Sequence, residues 1–148
     1  MMFNETPSGG PDQGAMLGIL ARARPERLKA LAETLLESMG EIAVLTNRTG
    51  LVMVPMRDTV ENVDFHLGEV LVSEAHITDA AGHIGYGMVT GRDLERAMAM
   101  AVVDLRIATR GEEPVTKDFL SEERAHLVAE DEKRMRQVEA TRVEMETF

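Results

Sequence analysis

The residues best equipped for chemistry lie between positions 74 and 93. GYGMVTGRD, Gly85 to Asp93, sets three glycines around the only tyrosine and runs into a helical pattern. A strand that ends in glycines and opens a helix often holds phosphate, because free N–H groups and the helix dipole converge there. Neither phosphate motif is met. A Walker loop needs Gly-Lys-Ser or Gly-Lys-Thr, and the dinucleotide fingerprint G-x-G-x-x-G is one residue shorter than the spacing of Gly85, Gly87 and Gly91.

Strand alternation gives Gly85 and Gly87 a different use. After a hairpin loop of two or four residues, Ile84, Tyr86 and Met88 share the core face with Leu71, Ala75 and Ile77. The glycines then stand on the opposite face beside Glu74, His76, Thr78 and His83. Glycine in a strand admits another backbone closely, so Gly85 and Gly87 are read as packing or partner-docking positions. Gly91 and Arg92 sit at the helix start, where N–H groups and one guanidinium suit an anion. The plainer reading is that Gly91 makes the turn and Arg92 pairs with Asp93 or Glu95. Glu74, His76 and His83 are acceptable metal-ligand types, but three such residues on a polar sheet face are ordinarily just exposed, and no metal is expected. His66 and His126 lack companions. No serine–histidine–acid set or carboxylate pair of definable geometry stands out, so the catalytic residues are unassigned.

The elements that position these residues follow from period and punctuation. Met16, Leu17, Ile19 and Leu20 suggest a short helix, and Pro25 suits the first turn of a second, with Leu28, Leu31, Leu35 and Met39 on its stripe. Gly40 stops it, giving an αα unit. Ile42 and Val44, a turn at Asn47–Gly50, and LVMVPM read as strand, turn, strand. A longer strand from about Leu67 to Thr78 turns at Gly82 into IGYGMV. Thr90 opens a capping box with Asp93, and Leu94, Met98, Ala101, Val102 and Leu105 form the next stripe. Gly111 and Pro114 end that helix. From Ser121 a long charged helix carries a thin stripe, Val128, Met135, Val138 and Met145, suited to another subunit or to solvent. The expected fold is α+β: an antiparallel sheet of about four strands, an N-terminal αα unit and two C-terminal helices. Residues 1–14 read as a polar tail, disordered or ordered by a partner, and 15–148 as one domain.

Composition narrows the function classes. A net charge of −10 argues against nucleic acid, whose phosphates need a basic face. The chain has no cysteine, hence no disulfide, thiolate nucleophile or iron–sulfur ligand set of its own. No apolar run reaches the ~20 residues of a membrane span, and the polar start has no signal pattern. The cytoplasm is the default compartment. Aromatics are 3% of the chain against 11 methionines, which pack irregular gaps and suit adaptable protein surfaces.

Five stretches occur together in a familiar order: ARARPERLKAL (Ala21–Leu31), TGLVMV (Thr49–Val54), GEVLVSEAHI (Gly68–Ile77), GHIGYGMVTGRDLERAMAMAVVDL (Gly82–Leu105) and EATRVEMETF (Glu139–Phe148). With them the chain resembles the PhnG family, the G subunits of the bacterial carbon–phosphorus lyase core complex, from about residue 15 onward. It departs at RVEMETF, where the family tends to carry more aromatics. The resemblance implies a subunit that works with the I, H and L subunits on ATP and an alkylphosphonate such as methylphosphonate. Adenine is displaced from ribose C1′, leaving a ribose 1-phosphonate 5-triphosphate. It implies a core with the H, I and J subunits, two copies of this chain per assembly, and an iron–sulfur cluster only in the J subunit. Two roles remain open: scaffolding that shapes the I subunit's site, or holding a phosphate or phosphonate at Gly91 and Arg92. A stand-alone regulatory or ligand-binding domain is the third alternative.

Overall fold

The computed structural model describes residues 13–146. The elements run α1 (Gln13–Arg22), α2 (Pro25–Leu36), β1 (Ile42–Asp58), β2 (Val63–Asp79), β3 (Ile84–Thr90), α3 (Leu94–Arg110) and α4 (Pro114–Glu146). The fold is α+β as expected, with an αα unit before an antiparallel sheet and two helices after it. The sheet has the order β1-β2-β3. Its first strand runs unbroken through Asn47–Gly50, so the two short strands expected there are one. The chain reverses instead at residues 59–62. There the Asp58 carboxylate accepts the Val60 N–H (2.9 Å) and Asn62 takes a left-handed backbone (φ 58°). An Asx turn followed by a left-handed asparagine closes a hairpin without help from glycine.

α3 is the centre of the molecule. It lies on β2 and β3, with α1 and α2 against it, and Ala97, Ala101, Val103 and Leu105 are wholly buried. The sheet contributes Ser73, Ala75, Ile77, Gly85, Gly87 and Val89 to that contact. The face assignment of β3 is therefore the reverse of the expected one. Thr78 pairs with Ile84, so five residues, 79–83, connect the pairs, and an odd connection swaps every side chain to the other face. The loop is built around the Asp79 carboxylate, which accepts the N–H groups of Ala81 (3.0 Å) and His83 (2.8 Å), with Gly82 at φ +93°.

Three helix boundaries also differ from the expectation. α2 ends at Leu36 with Glu37 as its C-cap, so Met39 and Gly40 lie beyond it. Asp93, not Thr90, caps α3, its carboxylate accepting the Arg96 N–H at 3.0 Å. Pro114 does not merely end a segment. It opens α4, a position where a missing N–H costs nothing. The start of α4 then packs on the body through Thr116, Phe119, Leu120 and Glu123, and from Glu132 onward the described side chains are exposed.

Candidate functional site

The helix start at Gly91 is a closed structural joint. Gly91 has φ +90°, and its N–H donates to the Leu71 carbonyl (2.8 Å). The buried Ser73 hydroxyl donates to the Gly91 carbonyl (2.7 Å) and accepts the Asp93 N–H (2.9 Å). The Asp93 carboxylate occupies the mouth of α3, with the Lys29 ammonium 3.7 Å away. An anion there meets a carboxylate where it needs donors, and the N–H groups of Gly91, Asp93 and Arg96 are already used. Arg92 points to solvent and is exposed. Neither Gly91 nor Arg92 is arranged to grip a phosphate in this conformation.

Gly85 and Gly87 receive the chain's own helix. A Cβ on Gly87 would meet the carbonyl oxygen of Ala97 and lie 2.9 Å from the Ala101 nitrogen. One on Gly85 would meet the Ala101 carbonyl oxygen and lie 2.7 Å from the Leu105 Cβ. The close approach expected of strand glycine is present, but it belongs to α3, and this face is closed to a partner. Asp104, buried on α3, reaches past the glycines to accept the Tyr86 N–H at 2.9 Å and a Gln13 amide bond at 3.3 Å. Burial pushes its carboxyl above the usual aspartate value of 3.8, against the pull of those two donors.

The opposite sheet face carries no helix among the described residues and holds a small polar cluster. Arg48 and Glu74 pair at 3.5 Å, His76 Nε2 stands 3.8 Å from Glu74, and the His76 ring meets Tyr86 edge-on with centroids 4.7 Å apart. His83 is not part of it, since its Nδ1 is held 2.9 Å from Asp79 in the loop. Glu74, His76 and His83 therefore do not converge. No group of three or more potential metal ligands does so among the described residues.

What the described residues expose in quantity is apolar surface. β3 ends opposite Val72, while β1 and β2 continue together as a two-stranded ribbon from Leu51 and Leu71 to the turn at 59–62. Leu51 and Leu67 are each 63% exposed, and Val52, Met53, Met56 and Phe65 are all above two-fifths. A two-stranded ribbon is marginal in water, and a contiguous apolar arm of this kind signals an interaction site. α4 gives a second such surface. Val128, Met135 and Val138 are exposed from its middle outward, as the sequence stripe suggested. Met145 lies in the same helix, but its side chain is outside the described residues. A charged joint aims this helix. The buried Glu123 accepts the Arg24 backbone N–H (3.1 Å) and the Arg24 guanidinium (2.7 Å), Arg27 pairs with Glu122, and Arg22 with Asp131 at 3.2 Å. Burial alone would raise the Glu123 pKa, but the bonds from Arg24 win and hold it below the usual 4.5.

The ribbon, Ser73, Asp104 and Glu123 were not identified from sequence. The ribbon had a signal in the unbroken apolar run Leu51–Val54, on both strand parities, and in Met56, Val63, Phe65 and Leu67 beyond Pro55. The three polar residues had none, because their partners lie 18 to 99 positions away.

Comparison with known proteins agrees with this picture of a part made for an assembly. The family described as "Phosphonate metabolism protein PhnG" matches residues 13–148. A protein of Rhizobium meliloti (strain 1021) named "Alpha-D-ribose 1-methylphosphonate 5-triphosphate synthase subunit PhnG" is 32% identical over 131 residues, covering 88% of this chain and 83% of that protein. The chain belongs to the PhnG family.

Proposed function

We propose that this member of the PhnG family serves as a subunit of an alpha-D-ribose 1-methylphosphonate 5-triphosphate synthase. In that complex an alkylphosphonate such as methylphosphonate displaces adenine from ribose C1′ of ATP. The partners on this reading are the I, H and J subunits of a core with two copies of this chain, with the L subunit acting alongside. The iron–sulfur cluster belongs to the J subunit, and the setting is the cytoplasm. The chain's own part is to scaffold and shape the I subunit's site, without supplying a reacting group.

The observation that carries this reading is the ribbon, which no other element supports among the described residues. A self-sufficient ligand-binding domain has no use for an apolar arm exposed on both faces, whereas a subunit does. The closed joint at Gly91 agrees, since the carboxylate of Asp93 disfavours an anion at the one place the sequence offered for it. Co-expression with candidate H, I and J chains from the same source, followed by size-exclusion chromatography and mass measurement, tests the proposal. A stoichiometric complex is expected. A chain that stays monomeric in the presence of all three overturns it.

A further inference from the structure

β2 outruns β3. Its last pair with β3 is Val72 with Thr90, after which Gly91, at φ +90°, turns the chain off the sheet and into α3. From Leu71 back to Val63, roughly 30 Å at about 3.3 Å per residue, the edge of β2 carries no third strand among the described residues. The direction of its polar groups is fixed by one bond. The Leu71 carbonyl accepts the Gly91 N–H, so it points away from β1. The register with β1 is continuous from Leu51–Leu71 to Met53–Glu69, so Glu69, two residues on, presents its N–H and C=O outward as well. From Leu71 to Gly68 the edge is thus an open ladder in line with β3. At Leu67 the register with β1 shifts by one residue, so the ladder is interrupted there before it continues toward Val63, and apolar side chains flank it above and below.

We propose that this edge receives an extended segment of a different, basic chain, which continues the line of β3 and converts the ribbon into a three-stranded sheet. The inference rests on the subunit reading above and deepens it by naming the surface and the chemistry of its occupant. Charge decides which occupant fits. The ribbon and its turn carry four carboxylates, Asp58, Glu61, Asp64 and Glu69, against one guanidinium, Arg57, which pairs with Asp64 at 3.5 Å. A second copy brings an arm of the same sign in a chain of net charge −10, and like charge across an interface is costly. The fitting segment is a strand with apolar side chains on both faces, because Met53 and Met56 lie on opposite faces of the ribbon. Lysine or arginine stands where it passes Glu61 and Glu69. Backbone bonds then supply affinity and the flanking side chains the selectivity.

Amide hydrogen exchange on the full chain, free and within the reconstituted synthase complex, reads the edge directly. Residues 63–71 should slow on assembly by about 100-fold or more. Glu69→Pro removes an outward N–H without touching a bond to β1, and should weaken assembly by about tenfold or more. Glu69→Lys keeps every backbone bond and should weaken assembly severalfold, less so in high salt. A complex that forms normally while 63–71 exchange at the free-chain rate, with both variants assembling as wild type, overturns this inference and leaves the subunit reading standing. Protection that appears with the chain alone at high concentration points to a second copy and overturns it too. Failure of any complex to form removes both readings together.

Discussion

Replacing Gly87 with alanine tests the α3–β3 contact at its tightest point. The added carbon meets the Ala97 carbonyl oxygen and lies 2.9 Å from the Ala101 nitrogen and 3.1 Å from the Ala97 carbonyl carbon. All three are backbone atoms of a helix pinned by its own hydrogen bonds, so no rotamer change relieves the clash. Restoring even tight contacts of about 3.1 Å requires α3 to lift by about 1 Å. A gap of that size forfeits about a quarter to a half of each dispersion contact under Ala97, Ala101 and Leu105, which are wholly buried. Overpacking of this kind costs about 1–3 kcal/mol and more where backbone must move, offset by about 0.5–1 kcal/mol of strand preference for alanine over glycine. Taken at the upper end because backbone must move, the net expectation is about 2–2.5 kcal/mol, or roughly 4–10 °C in Tm for a chain of this length. Thermal unfolding followed by far-UV circular dichroism measures it. Gly50→Ala is the control, because a Cβ there meets nothing within 4 Å, and it should be neutral or gain up to about 1 kcal/mol from the same strand preference. If Gly87→Ala unfolds with the control, α3 does not pack on β3 as described.

Glu123→Ala should cost about 2–3 kcal/mol, below the ~3–5 of a fully buried pair because Arg24 regains water, and should loosen α4 in hydrogen exchange. The Glu123 pKa is lowered in the folded state, so its contribution is present above the usual 4.5 and fades as pH falls through the folded value. Glu123→Gln should flatten that acid limb of a stability–pH curve, and an unchanged limb would count against the joint. Asp104 has the opposite sign. Its pKa is raised, so its contribution is full below 3.8 and declines as pH rises through the folded value. Asp104→Asn keeps an oxygen for the Tyr86 N–H and should be neutral or up to about 1 kcal/mol more stable at pH 7 in denaturant titration, whereas a clear loss would show the charge to be needed. Arg92→Ala should leave both assembly and turnover of ATP with methylphosphonate within about twofold of wild type. Normal assembly with turnover reduced by about tenfold or more would return Arg92 to the substrate site.

The sequence exposed the fold wherever local rules decide, and hid it wherever distance or parity does. Pro25, Gly82 and Gly111 punctuate the chain as their backbone chemistry requires, and the stripes of α2 and α3 face the core as their period demands. The face of β3 was not legible, because it hangs on whether the connection after Thr78 is even or odd, and Asp79 decides that by gathering two N–H groups across the loop. Asn47–Gly50 has turn residues yet stays extended, since the hairpin closes where Asp58 and Asn62 offer a better turn. At the candidate site, the exposed stripe of α4 could be read from spacing alone. The joint at Ser73, Gly91 and Asp93 could not, because it joins residues 18 and 20 positions apart through one hydroxyl.

The most direct test of the central claim is adenine release from ATP with methylphosphonate by the reconstituted synthase, assembled with this chain and without it. The account predicts release only when the chain is present and bound in stoichiometric amount, with full activity retained in Arg92→Ala. Equal release without the chain, or a chain that never enters the assembly, would contradict it.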